Sequence, residues 1–145
     1  EAKKLDYSYT IHAGECGSVQ CIKDAVEMGA KRIGHGIAMM GNKEVQKLLA
    51  SKRIGVEMCP ISNYQTKALQ PEQTYPVREF VKAGVLATIN TDNRTVSNTS
   101  ITKEMEFLNQ KCGISEEELY RCQMNAVDVA FCDDAMKHEI WKALK

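Results

Sequence analysis

The sequence predicts an α/β protein with a parallel sheet, and three observations carry that expectation. Four short strand-like segments begin near residues 7, 32, 54 and 85, segments of helical periodicity lie between them, and Gly or Pro marks most junctions. Strand starts roughly 22 to 31 residues apart are the rhythm of βαβ units, in which a crossover helix returns the chain to lay each strand parallel to the last.

Each element follows from its local pattern. Residues 7–12, YSYTIH, alternate with the period of two that marks a strand, and Gly14 and Gly17 break the run. Residues 18–29 set Val19, Ile22, Ala25 and Val26 on one helical face, with Gly29 as the stop. A second strand over 31–36, KRIGHG, leads to a helix over 42–52, where Val45, Leu48 and Leu49 fall at helical spacing. The third strand, 53–60, is ended by Pro60, and a loop is expected from there to residue 74. The helix at 75–84 has Pro76 near its start and Gly84 at its end, and the fourth strand is 85–90. Beyond it everything reads as helical: 99–113, then 115–132, opened by the capping-box pair Ser115 and Glu118, then 133–145. No low-complexity stretch or linker interrupts residues 1–145, so no second domain is expected. The opening EAKKLD lacks an initiator Met and reads as the last turn of a helix begun upstream, which would make the chain a fragment.

Nineteen Lys and Arg balance nineteen Asp and Glu, which gives no electrostatic case for binding nucleic acid or an anionic membrane. A small neutral ligand fits better. No apolar run approaches the roughly 20 residues of a membrane helix. The six cysteines form no C-x-x-C pair and follow no signal segment, so they read as reduced thiols of a cytoplasmic protein.

The notable polar residues share one kind of position. His12 and Glu15 follow the first strand, His35 ends the second, Ser62 and Asn63 follow the third, and Asp92 and Asn93 follow the fourth. In a parallel barrel or an open α/β sheet, the C-terminal ends of the strands carry the chemistry, because their loops converge above a packed core. Singly, each has an ordinary explanation. A lone strand-end histidine is commonly just hydrogen-bonded, TDN is a good turn, and GHG a tight strand exit. Together, His, His and Asp at three strand ends with a Glu beside the first form the set a metal-assisted hydrolase needs. Imidazole and carboxylate hold a borderline cation such as zinc, a second histidine orients or deprotonates its water, and the acid protonates the leaving side.

The ordered set TIHAGE, RIGHG, MCPISN and INTDN resembles the adenosine deaminase family, a zinc-dependent branch of the amidohydrolases with a (β/α)8 barrel. SITKEME and MNAVDVAF are similar to its closing helices. The H-x-E…P-C-x-x-C pattern of the cytidine-type deaminases is absent. The resemblance implies the C-terminal half of a TIM barrel, strands five to eight with additional helices, since a whole barrel takes about 250 residues. It also implies hydrolysis of adenosine or deoxyadenosine to inosine and ammonia by a zinc-activated water, within purine salvage. In that reading His12 and Asp92 ligate zinc, and Glu15, as a protonated acid, donates to purine N1. His35 acts beside the water as base or electrostatic stabiliser, and Gly14 lets the backbone pass close to the ring.

Two departures from the family pattern stand out. A second aspartate usually follows the metal ligand to donate to purine N7, and here the residue is Asn93, whose NH2 donates at any pH. The H-x-H pair of the first barrel strand is missing, because the only histidines are His12, His35 and His138. The N-terminal half of the barrel is therefore an expected partner, and the chain alone is expected to be inactive. The alternatives are a sister deaminase acting on adenine or another 6-aminopurine, and a non-catalytic half barrel that binds a nucleoside.

Overall fold

The computed structural model describes residues 4–144. Four strands, β1 (Thr10–Ala13), β2 (Arg32–His35), β3 (Gly55–Met58) and β4 (Leu86–Ile89), pair in parallel in the order β1-β2-β3-β4. Helices α1 (Val19–Met28) and α2 (Lys43–Ser51) follow β1 and β2; α3 (Pro60–Gln65) and α4 (Val77–Lys82) follow β3. After β4 come α5 (Arg94–Ser97), α6 (Ile101–Cys112), α7 (Glu116–Asp128) and α8 (Asp134–Ala143). Consecutive parallel strands joined by outer helices are four units of a (β/α)8 barrel, half of the closed fold.

Strand alternation divides the sheet into two faces. Ile11, Ile33, Val56 and Ala87 stand side by side in register, and they pack into one core with Ile22 of α1, Val45 and Leu49 of α2, Phe80 of α4 and Leu119 of α7. The opposite face carries the registered rows Thr10, Arg32, Gly55, Leu86 and His12, Gly34, Glu57, Thr88. There Arg32 Nε lies 2.7 Å from Glu57 Oε1, which also accepts from Thr10 Oγ1.

Three expectations are corrected. The stretch after Pro60, read as a loop, begins with α3: proline starts a helix as readily as it ends a strand, because its fixed φ and missing N–H suit the first helical position. The Cys59 side chain does not cap it. Instead the buried Glu104 of α6 accepts from the Ile61 N–H through Oε2 at 2.9 Å, while burial raises its pKa. Second, α7 ends at Asp128 rather than running to Cys132. Val129 packs where a Cβ on Gly55 would come within 2.9 Å of it, and its carbonyl accepts from Arg32 Nη1 at 3.4 Å. Third, the strands are four residues each, and residues 7–9 lie outside β1. Of the helical turn expected at the start, residues 1–3 lie outside the described residues, and residues 4–6 form a turn.

Candidate active site

His12 sits on the inner face of β1 opposite Gly34 of β2. A Cβ at Gly34 would come within 2.6 Å of the His12 ring, so only glycine leaves the ring its place. By alternation His35 belongs with Ile33 on the helix side, but its φ of 68° ends the strand there. Its ring meets that of His12 edge to face, with centroids 4.8 Å apart. Left-handed backbone at a non-glycine residue is uncommon, and Asp92, with φ of 55° after β4, shares it with His35.

His35 is 1% exposed, hydrogen-bonded at Nδ1 and with a carboxylate near Nε2. The Asn63 amide nitrogen of α3 lies 3.0 Å from Nδ1, and the Tyr75 hydroxyl donates to Asn63 Oδ1 at 2.8 Å. On the other side, Nε2 lies 3.5 Å from Glu15 Oε2. Burial is the largest influence on the His35 pKa and lowers it, against the opposing pull of Glu15. Glu15 is half-buried, and its Oε1 accepts from Thr66 Oγ1 at 3.1 Å. Asp92 accepts from Ser62 Oγ of α3 at 2.7 Å.

His12, His35 and Asp92 line one cavity of about 230 Å³, together with Gly34, Glu57, Cys59, Asn90 and Thr91. Burial pushes the Cys59 thiol up to about 12, so it faces this cavity as a neutral group. Glu15 lines a neighbouring cavity of about 520 Å³ with Cys16, Ala38, Thr66 and Leu69. Two sequence-predicted residues have local structural duties. Gly14, with φ of 70°, packs so tightly that a Cβ would meet Ile22 at 2.6 Å. Asn93 is exposed and caps α5, accepting from Thr95 and Val96 N–H through Oδ1, which leaves its NH2 as donor.

The donor chemistry suits a borderline metal but is incomplete. Among the described residues, no group of three or more His, Cys, Asp and Glu side chains is arranged to hold a metal ion. His12 and Asp92 fit as part of a larger ligand set.

Sequence reasoning missed Glu57, Thr66, Tyr75 and Glu104, and it noted Ser62 and Asn63 only as strand-end polar residues. Glu57 had a signal: a charged residue inside an apolar strand, on the same face as Gly55. Tyr75, before Pro76, reads as an ordinary core aromatic.

The adenosine deaminase family model matches residues 1–145. An adenosine deaminase of Clostridium botulinum, strain Hall, is 46% identical over 143 residues, which are 98% of this chain and 42% of that protein. The chain thus spans well under half the length of this relative. A zinc-bound amidohydrolase from Burkholderia ambifaria superposes with a TM-score of 0.88 at 25% identity, over 98% of this chain and 40% of that one. An adenine deaminase from Arthrobacter aurescens shares the fold with a TM-score of 0.90 at 24% identity, over 99% of this chain and 44% of that one.

Proposed function

This chain belongs to the adenosine deaminase family, and from that premise we propose that it forms the C-terminal half of the barrel of an enzyme hydrolysing adenosine or deoxyadenosine to inosine and ammonia. The observation that carries this reading is the convergence of His12, His35 and Asp92 on one cavity, with Glu15 Oε2 3.5 Å from His35 Nε2. A site that only binds a nucleoside needs no acid at that position.

Zinc is the cofactor of this reading, and the zinc-bound fold relative supports it. His12 and Asp92 would help hold the ion, which when bound lowers the pKa of a coordinated water to about 7. An N-terminal half barrel would supply the remaining ligands, consistent with the 42% of the relative's length that this chain covers.

The other tasks fall to this chain's own groups. As C6 of the purine becomes tetrahedral, ring nitrogen N1 must gain a proton, and Glu15 is the acid that carries it. Thr66 and His35 flank its two oxygens and restrict its rotamers. His35 serves the water as base or electrostatic stabiliser, and Ser62 fixes one oxygen of Asp92. Asn93 keeps its amide hydrogens free to donate to purine N7, and Gly14, whose Cβ position is taken up by Ile22 and Ala38, would let the backbone pass close to the ring. Six free thiols suit the reducing cytoplasm, where this reading puts the enzyme, and no described helix is long and apolar enough to cross a membrane.

The test uses the full-length protein with adenosine, deoxyadenosine and adenine, following ammonia release before chelation, after it, and after zinc is restored. The nucleosides are turned over in preference to adenine, chelation stops the reaction and zinc restores it. Adenine as the preferred substrate shifts the reading to the sister activity, and no turnover of any 6-aminopurine overturns it.

A further inference from the structure

We propose that Tyr75 and Asn63 are a positioning pair that fixes the ring orientation and the tautomer of His35, so that its Nε2 presents a hydrogen to the reaction space. The kinetic consequence rests on the deaminase reading; the hydrogen-bond argument stands without it.

A side-chain amide has unlike ends, an oxygen that only accepts and an NH2 that only donates. Asn63 is fully buried and its Oδ1 receives the Tyr75 hydroxyl hydrogen at 2.8 Å. The NH2 end therefore faces His35 Nδ1, 3.0 Å away. A donor at that distance requires Nδ1 to accept, and a neutral imidazole has one hydrogen, which must then sit on Nε2. Turning the amide over would make the phenol an acceptor and leave its own hydrogen seeking another partner. Tyr75 is 1% exposed, so that hydrogen would be stranded away from water.

The supports of the pair come from separate parts of the fold. Asn63 belongs to α3, whose first turn is tied to Glu104 through the Ile61 N–H. Tyr75 precedes α4 and belongs to the main core. With its Nδ1 engaged, His35 aims Nε2 toward Glu15 Oε2 at 3.5 Å. A ring held this way offers a hydrogen to an oxygen beside it, and in its neutral form has no free lone pair there. Of the two roles open to His35, the arrangement selects the stabilising donor.

The experiment measures nitrogen-15 spectra of assigned, histidine-labelled full-length protein, with kcat and KM for wild type, Asn63→Asp and Tyr75→Phe. In the wild type, His35 shows a bare Nδ1 and a protonated Nε2. Asn63→Asp replaces the donor with an acceptor, moves the hydrogen to Nδ1 and lowers kcat by about 10- to 100-fold, the usual cost of altering an outer-shell partner, with KM within about twofold. Tyr75→Phe keeps the ring but frees the amide, giving a smaller loss in kcat and a mixture of tautomers. A wild-type spectrum with the hydrogen on Nδ1 overturns the proposal even if both variants misfold, and so does a wild-type kcat in Asn63→Asp. A full-length protein that deaminates no 6-aminopurine sinks the deaminase reading, while the spectra still decide the tautomer.

Discussion

The two faces of the sheet are built to different standards. On the helix side, Ile33, Val56 and Ala87 are fully buried, and the core they share with α1, α2, α4 and α7 is closed within this chain. On the inner side, His12 is exposed, Thr10, Arg32 and Glu57 are half-buried, and polar groups satisfy one another across strands. The difference separates stability from chemistry. Burial on one face holds the strands in register, while the other keeps ligand-capable side chains free of competing packing. His35 joins the two: it belongs by alternation to the closed face, and its left-handed backbone brings it to the open one.

The sharpest test of this contrast is to ask whether the inner face works without its other half. Both β1 and β4 are edge strands of the described sheet, and unpaired edges invite association. Expressed alone, the 145-residue chain should self-associate, hold zinc weakly and show no measurable deamination. Mixing it with a separately expressed N-terminal half should restore zinc binding and some activity, because closure pairs both edges and completes the ligand set. A monodisperse monomer of this chain that binds one zinc tightly and deaminates adenosine would break the comparison outright.

Within the full-length protein, the inner face should divide into ligands and proton carriers. If Glu15 is the proposed proton donor and not a ligand, Glu15→Gln should leave zinc in place while kcat falls by about 10²- to 10⁴-fold. Asp92→Ala should lose metal as well as turnover. Metal analysis alongside kinetics separates the two, and Glu15→Gln within a few-fold of wild type would remove its assigned role.

How far the sequence could be read also follows this division. The strand and helix rhythm was legible because outer-face residues such as Val45 and Leu49 repeat at a period the chain itself displays. Positions of His12, His35 and Asp92 at strand ends were legible for the same reason. The support for His35 was not, because Asn63 and Tyr75 lie 28 and 40 residues from it and meet only once α3 and α4 are packed. Pro60 shows a narrower failure. One residue marks both a strand's end and a helix's beginning, and only the Glu104 carboxylate from α6 completes the first turn of α3.

Apart from Tyr75 and Asn63, which hold His35, the closed face should respond to mutation in stability alone. Leu49 of α2 is fully buried far along the outer layer, so Leu49→Ala should cost about 2–5 kcal/mol of unfolding free energy. Its kcat, measured where the protein remains folded, should match wild type. A large kcat loss at full folding would mean that the two faces are coupled.

The smallest effect expected is a pH dependence confined to the outer layer. Glu118 of α7 accepts from Arg78 Nε at 2.5 Å and Nη2 at 2.8 Å, and from the Ser115 N–H at 2.9 Å in the capping box. Chiefly because of the Arg78 hydrogen bonds, its pKa falls from the usual carboxylate range to about 2. A carboxylate whose folded pKa is depressed contributes stability above its unfolded pKa, and that contribution is lost as the pH falls toward the folded one. Solvent screening at this partly exposed pair limits the contribution to about 1 kcal/mol, well below what the shift alone would suggest. Glu118→Gln should therefore lower stability by about 1 kcal/mol near pH 7, with the gap to wild type narrowing as the pH falls below about 4. Urea unfolding of both proteins across that range measures the gap directly. A gap that stays constant with pH would show that Glu118 stabilises α7 by packing and neutral capping, and that its charge contributes nothing.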